Sequence, residues 1–191
     1  TGKALHLILA LASLCLVGGF LLRLPRIRTL PALGLALILC ANPVVLCQTW
    51  TFYVDGILAS ILTAYLAVLG LYWLQPGKTP GRLAAMLAAL LAGVKFTGLA
   101  FAAIPAAALV LLLLANRPRR PAGHLAAWAA AGLAWGVLAA GFNPYVTNWV
   151  RSGHPLFPMA GEGAVYYTLF APKDRPANFR EANRLERLAL S

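Results

Sequence analysis

The feature that most constrains this chain is a succession of apolar runs close to the length of a membrane span, each ended by a short cluster rich in Arg, Lys, Gly or Pro. About 20 apolar residues carry an α-helix across the hydrocarbon core of a bilayer. Residues 4–22 form the first such run and stop at RLPRIR. Residues 30–47 follow and lead into QTWTFYVD; residues 56–74 stop at QPGKTPGR; residues 125–142 are the last. None of these runs alternates apolar and polar residues with the period of two that a half-buried strand shows. Composition agrees, with 61% hydrophobic and 11% charged residues, where a soluble domain has roughly half and a quarter. The expected fold is all-α: a polytopic transmembrane helix bundle over residues 1–142, followed by a non-cytoplasmic segment over 143–191.

The stretch 83–115 is too long for one span and short for two. It is interrupted at GVKFTG and again by Pro105, and it stops at NRPRRPAGH. Charge decides how to divide it. Read as two spans, the stretch leaves Arg23, Arg26 and Arg28, then Lys78 and Arg82, then Arg117, Arg119 and Arg120, all on one side. That is the positive-inside pattern. A single kinked helix would move the RPRR loop across and break it. The two-span reading gives about six spans and places Asp55, Lys95 and the segment from Asn143 on the opposite, non-cytoplasmic face. It also accounts for the net charge of +11, so nucleic acid is not expected as a partner. The chain begins at Thr1 with an apolar run that ends in Arg residues and has no small-residue cleavage site, which does not fit a signal peptide. The expectation is a fragment lacking its N-terminal part, with an odd number of spans upstream. Cys15, Cys40 and Cys47 have no metal-ligand spacing and read as small buried hydrophobes.

Asp55 is the only acidic residue before Glu162. At the head of a helix it serves as an N-cap, or it belongs to a site or an ion pair, because a carboxylate inside a membrane normally has a partner or a purpose. Trp50, Phe52 and Tyr53 before it fit an interfacial aromatic belt, or stack on a sugar. Lys95 lies between apolar runs and is followed by Phe96, Thr97 and Gly98. Snorkelling to the interface is the plain reading. The alternative is an anion site, since a broken helix exposes free N–H groups beside the ammonium, and lipid phosphate is the anion at hand. The segment GFNPYVTNWVRSGHPLFP adds Asn143, Tyr145, Asn148, Arg151 and His154. Arg suits phosphate, and Asn and Tyr suit sugar hydroxyls. Singly, each fits a loop role: Asn143 before Pro144 as a helix stop, His154 before Pro155 as a turn. As a set opposite Lys95 they suggest a binding surface roofing the outer ends of the helices. Gly132 and Gly136, four apart, and the Ala-rich face of 84–92 permit close helix packing. His6 and His124 have no companion ligands in sequence. From Phe179 onward an amphipathic helix places Phe179, Leu185 and Leu188 on one stripe.

GVKFTG resembles the lysine motif of the GT-C membrane glycosyltransferases, the superfamily of protein O-mannosyltransferases and aminoarabinose transferases. FNPYVTNWVRSGHPLFP and PANFREANRLERL resemble the segment after the helices in bacterial members, and NPVVLCQTWTFYVDG fits them too. Val94 stands where relatives often carry Ser or Thr. The resemblance implies a sugar donor carried on a polyprenyl phosphate, an acceptor at the non-cytoplasmic face, and a location in the bacterial inner membrane. It gives Lys95 the carrier phosphate, with Arg151 assisting. It places the catalytic acid in an early external loop that is expected upstream of Thr1, leaving Asp55 as a weak candidate. A divalent metal is compatible with this chemistry, though no metal ligands stand out. The alternative is a non-catalytic membrane subunit or a transporter that binds lipid or a membrane protein partner. In that case Asp55 and Lys95 simply pair with each other.

Overall fold

The computed structural model describes residues 2–41, 55–116, 119–140 and 143–156, and all regular structure among them is helical. Helix α1 runs Gly2–Leu21. Its last turn tightens, with the N–H of Arg23 donating to Phe20 O at 3.0 Å and that of Leu24 to Leu21 O at 3.1 Å, before Pro25 blocks continuation. Helix α2 spans Thr29–Cys40 and is capped by the Ala41 N–H on Leu37 O at 2.8 Å. It therefore stops short of the apolar run that reaches residue 47. In the sequence Asn42–Pro43 comes next, and a residue before proline disfavours the helical region. The aromatics Trp50, Phe52 and Tyr53, and Cys47, lie outside the described residues.

Helix α3 is Asp55–Leu74, α4 is Lys78–Val94 and α5 is Phe96–Asn116. The stretch 83–115 is thus two helices parted at Lys95, whose backbone is extended at φ −158° and ψ 150°. Pro105 does not interrupt α5, contrary to the sequence expectation. A proline inside a membrane helix is tolerated; Pro105 frees the carbonyl four residues back, that of Phe101, and the Tyr65 hydroxyl of α3 donates to the carbonyl beside it, Ala102 O, at 3.0 Å. Helix α6 runs Arg119–Trp135 and widens into a π-helical turn at Gly136–Ala140. Four segments are long and apolar enough to cross a membrane: Ala4–Leu21, Asp55–Leu74, Phe96–Asn116 and Pro121–Ala140. Helix α2, with 12 residues, is shorter. The chain is an integral membrane protein built from helices.

The core mixes large side chains such as Ile61, Tyr65, Leu91 and Leu113 with alanines that let helices approach closely. Ala84, Ala88 and Ala92 of α4 are buried, while Leu5, Ile8, Leu11, Ile38 and Leu111 face outward. Hydrocarbon is as apolar as leucine, so close backbone contact, not hydrophobicity, holds such helices together. Gly132 and Gly136 show this most directly. A Cβ at Gly132 would run into the carbonyl of Ala85, and one at Gly136 would lie 2.8 Å from Ala92 Cβ. The outward-facing side also includes Cys15, which is exposed and not buried as its apolar run suggested. It sits on a face of α1 that a lipid would cover. Cys40 is buried, its Sγ 3.5 Å from Ser13 Oγ.

Two interhelical contacts fix the ends of the bundle. The Tyr72 hydroxyl, near the end of α3, donates to Pro121 O at the start of α6 (2.9 Å). Lys95 and Asp55 meet at the other end of α3. Arg82 lies over the Trp128 ring, 6.0 Å from its centre. Phe20 packs on Gly70 and shares a groove wall with Leu24, Trp73 and Leu74, so α1 and α3 run parallel. Arg23, Arg26, Arg28, Lys78 and Arg82 therefore gather at one end, and Asp55 and Lys95 occupy the opposite one.

Contacts divide the chain into two units, Thr1–Phe142 and Asn143–Ser191. In the second, a π-helical turn over Asn143–Thr147 runs into the short helix α7, Asn148–Ser152. Helical backbone thus follows from Asn143, while residues 141–142, where the expected helix stop falls, lie outside the described residues. Pro144 is compatible with it because a proline in a first turn removes an N–H that has no intrahelical partner anyway. Gly153 ends α7 in the left-handed region, φ 69°, with its N–H on Trp149 O at 3.0 Å. The amphipathic stripe of Phe179, Leu185 and Leu188 lies outside the described residues.

Candidate functional site

The motif GVKFTG owes its shape to its two glycines. Gly93, in the last turn of α4, abuts Ala140, whose Cβ would be 3.0 Å from an added methyl group. Gly98, in the first turn of α5, abuts the carbonyl of Leu91 so closely that any Cβ there would overlap it. Between them the chain reverses. The Gly98 N–H donates to Lys95 O at 2.9 Å, one of the first-turn donors of α5 that has no partner further back in its own helix. Lys95 is thus held in extended backbone by close packing on both sides, and its side chain leaves the bundle at the end.

That side chain meets Asp55. Lys95 Nζ donates to Asp55 Oδ1 at 2.8 Å, with the two side chains 44% and 51% exposed. Asp55 is the first residue of α3, where a carboxylate is favoured by the positive end of the helix dipole. The pair lies where the first turn of α3 meets the end of α4, and it is accessible to solvent or to a headgroup. In water an exposed pair of this kind contributes roughly 0–1 kcal/mol. An ammonium has three donors, and Asp55 is the one partner of Lys95 among the described residues. An anion can be added to this lysine, but only in competition with the Asp55 carboxylate for its charge. Asp55 as a catalytic base would first have to give up the same contact.

The other candidates belong to the second unit. Asn143 opens the π-helical turn, and its side chain is outside what is described. Tyr145 is buried, and burial pushes its phenol above the ordinary value, which keeps the hydroxyl neutral. Asn148 is half-buried at the head of α7. Arg151 is exposed in the last turn of α7, where a cation suits the helix C-terminus. His154 plays a structural part, since its Nδ1 accepts the N–H of Leu156 at 3.1 Å and closes a turn around Pro155. That leaves Nε2 as the ring nitrogen able to face a ligand. Among the described residues no three His, Cys, Asp or Glu side chains group in a way that would hold a metal ion.

Sequence reasoning missed the interior tyrosines. Tyr65 and Tyr72 are one heptad apart on α3, fully buried, and each spends its hydroxyl on a neighbouring helix. A tyrosine deep in an apolar run has to find such an acceptor, and that was the available signal. His6, which has no companion ligands in sequence, is 7% exposed in the first half of α1. No family model matches this chain, and comparison with curated proteins and with solved structures finds no similar protein.

Proposed function

We propose that this chain is the carrier-lipid-binding part of a membrane glycosyltransferase of the GT-C type, moving a sugar from a polyprenyl phosphate to an acceptor at the non-cytoplasmic face. The observation that carries this reading is the half-exposed Lys95 ammonium at a helix break, at the end of the bundle opposite the basic loops. With the basic end in the cytoplasm by the positive-inside rule, Asp55 and Lys95 face the other side, and α1 to α6 are six spans. In a bacterial cell that places them at the periplasmic face of the inner membrane. Lys95 offsets the charge that grows on the departing phosphate. Transfer breaks the bond between sugar carbon 1 and the carrier phosphate oxygen and forms one to the acceptor, whose proton passes to a carboxylate base. Arg151, Asn148 and Nε2 of His154 are the groups of the second unit suited to phosphate and sugar hydroxyls.

A second reading has a specific observation in its favour. The 2.8 Å contact between Lys95 and Asp55 is what a non-catalytic membrane subunit or transporter scaffold would also need. The two separate on the Lys95→Ala variant, with the protein's helicity and melting point as controls. Loss of sugar transfer, and of polyprenyl-phosphate binding by tenfold or more, in a folded protein supports the transferase. Binding equal to wild type sinks it and leaves the strut.

A further inference from the structure

A groove of about 420 Å³ runs between α1, α3 and α5, away from the Lys95 end. Its walls are apolar: Phe20 and Leu24 on one side, Leu66 and Trp73 along the floor, Pro105 and Ala108 on the other. It exists because Gly70 lets the Phe20 ring settle against α3 and because Ala108 presents only a methyl group where α5 is lined elsewhere by leucine. The floor from Leu66 to Leu74 is nine residues of helix, about 12 Å of rise. That is close to the ~15 Å of hydrocarbon in one leaflet. Its upper limit is the turn that carries Arg23, Arg26 and Arg28.

Charge identifies what sits there. Arg23 follows Phe20 by one tight turn, with its N–H on Phe20 O at 3.0 Å, and Arg26 lies within the next turn, Leu24 to Ile27. Both guanidinium groups are exposed. The one carboxylate among the described residues, Asp55, is at the opposite end of the bundle. The basic end therefore has no acidic partner of its own among these residues. A groove close to one leaflet deep and apolar along its length, with the exposed Arg23 and Arg26 flanking its wall residue Leu24 in the chain, matches an acyl chain that carries a negative headgroup at its outer end.

We propose that this groove holds an acyl chain of an anionic phospholipid whose phosphate lies against Arg23 and Arg26. Arginine suits such a contact because its planar fork meets two phosphate oxygens at once. The site is independent of the Lys95 end.

The test uses the full chain purified in detergent, with phosphatidylglycerol and phosphatidylcholine of identical acyl chains, read by native mass spectrometry and by melting temperature. Phosphatidylglycerol is expected to remain bound and to raise the melting temperature, and phosphatidylcholine to do neither. Arg23→Gln and Arg26→Gln are each expected to weaken retention about fivefold. Ala108→Phe, on an exposed position that does not disturb the core, is expected to fill the groove and abolish retention while leaving helicity unchanged. Equal retention of the two lipids would overturn the proposal, as would phosphatidylglycerol retention untouched by the Arg23→Gln/Arg26→Gln pair. Should Ala108→Phe fail to fold, the exposed arginine variants decide the matter alone.

Discussion

Lys95 and Asp55 are a pair that local sequence could propose but not assemble. The break at Lys95 was legible, because a lone lysine between apolar runs with Gly on either side has few other uses. Its partner lies 40 positions away; the charge rule put both residues on one face and the alternative reading paired them, and the contact itself follows from α3 and α4 running antiparallel. The consequence for stability is modest. Asp55→Asn keeps the size of the side chain and removes the charge, so the expected loss is about 1 kcal/mol or less, measured by reversible unfolding in mixed detergent. Tyr65 is the opposite case. Its hydroxyl is buried and bonded to Ala102 O, yet the tyrosine looked like any aromatic in an apolar run. Tyr65→Phe is expected to cost roughly 0.5–1.5 kcal/mol without altering helicity, and a neutral result would show that the contact is not formed in the bilayer.

The helices themselves were largely legible, since apolar length and basic punctuation mark them directly. Their limits were less so. α2 ends at Cys40 although the apolar run goes on to residue 47, and α5 continues through Pro105 where the sequence suggested an interruption. Close approach is the other property that composition hides. Gly98 and Gly123 are both single glycines in helices, but the first has the Leu91 carbonyl against it and the second has nothing within 4 Å. Gly98→Ala is expected to destabilise by about 1–3 kcal/mol, the usual cost of overpacking. Gly123→Ala is expected to be neutral or to stabilise by up to about 1 kcal/mol through helix propensity. Thermal unfolding of both variants side by side checks the pair, and equal effects would contradict the packing described for the α4–α5 reversal.

For the molecule as a whole, charge asymmetry sets orientation. Five described basic residues, Arg23, Arg26, Arg28, Lys78 and Arg82, share one end, while Asp55 and Lys95 share the other. Single cysteines at positions 26 and 55, in a background with the native cysteines replaced, are expected to react with a membrane-impermeant thiol reagent from opposite sides of sealed vesicles. Reaction of both from one side would overturn the proposed crossing between these positions. The function proposed for the Lys95 end rests in the sequence on resemblance, because an ammonium at a helix break looks the same in a lipid-phosphate site and in a structural strut. The most direct test exchanges the two charges. Asp55→Lys combined with Lys95→Asp restores an ion pair across the same gap but moves the cation from the helix break to the head of α3. Reconstituted wild-type protein should bind a polyprenyl phosphate, and the exchanged variant should recover wild-type melting while binding at least tenfold more weakly. If the exchanged variant melts and binds like wild type, the position of the lysine does not matter and the proposed carrier-phosphate site is wrong.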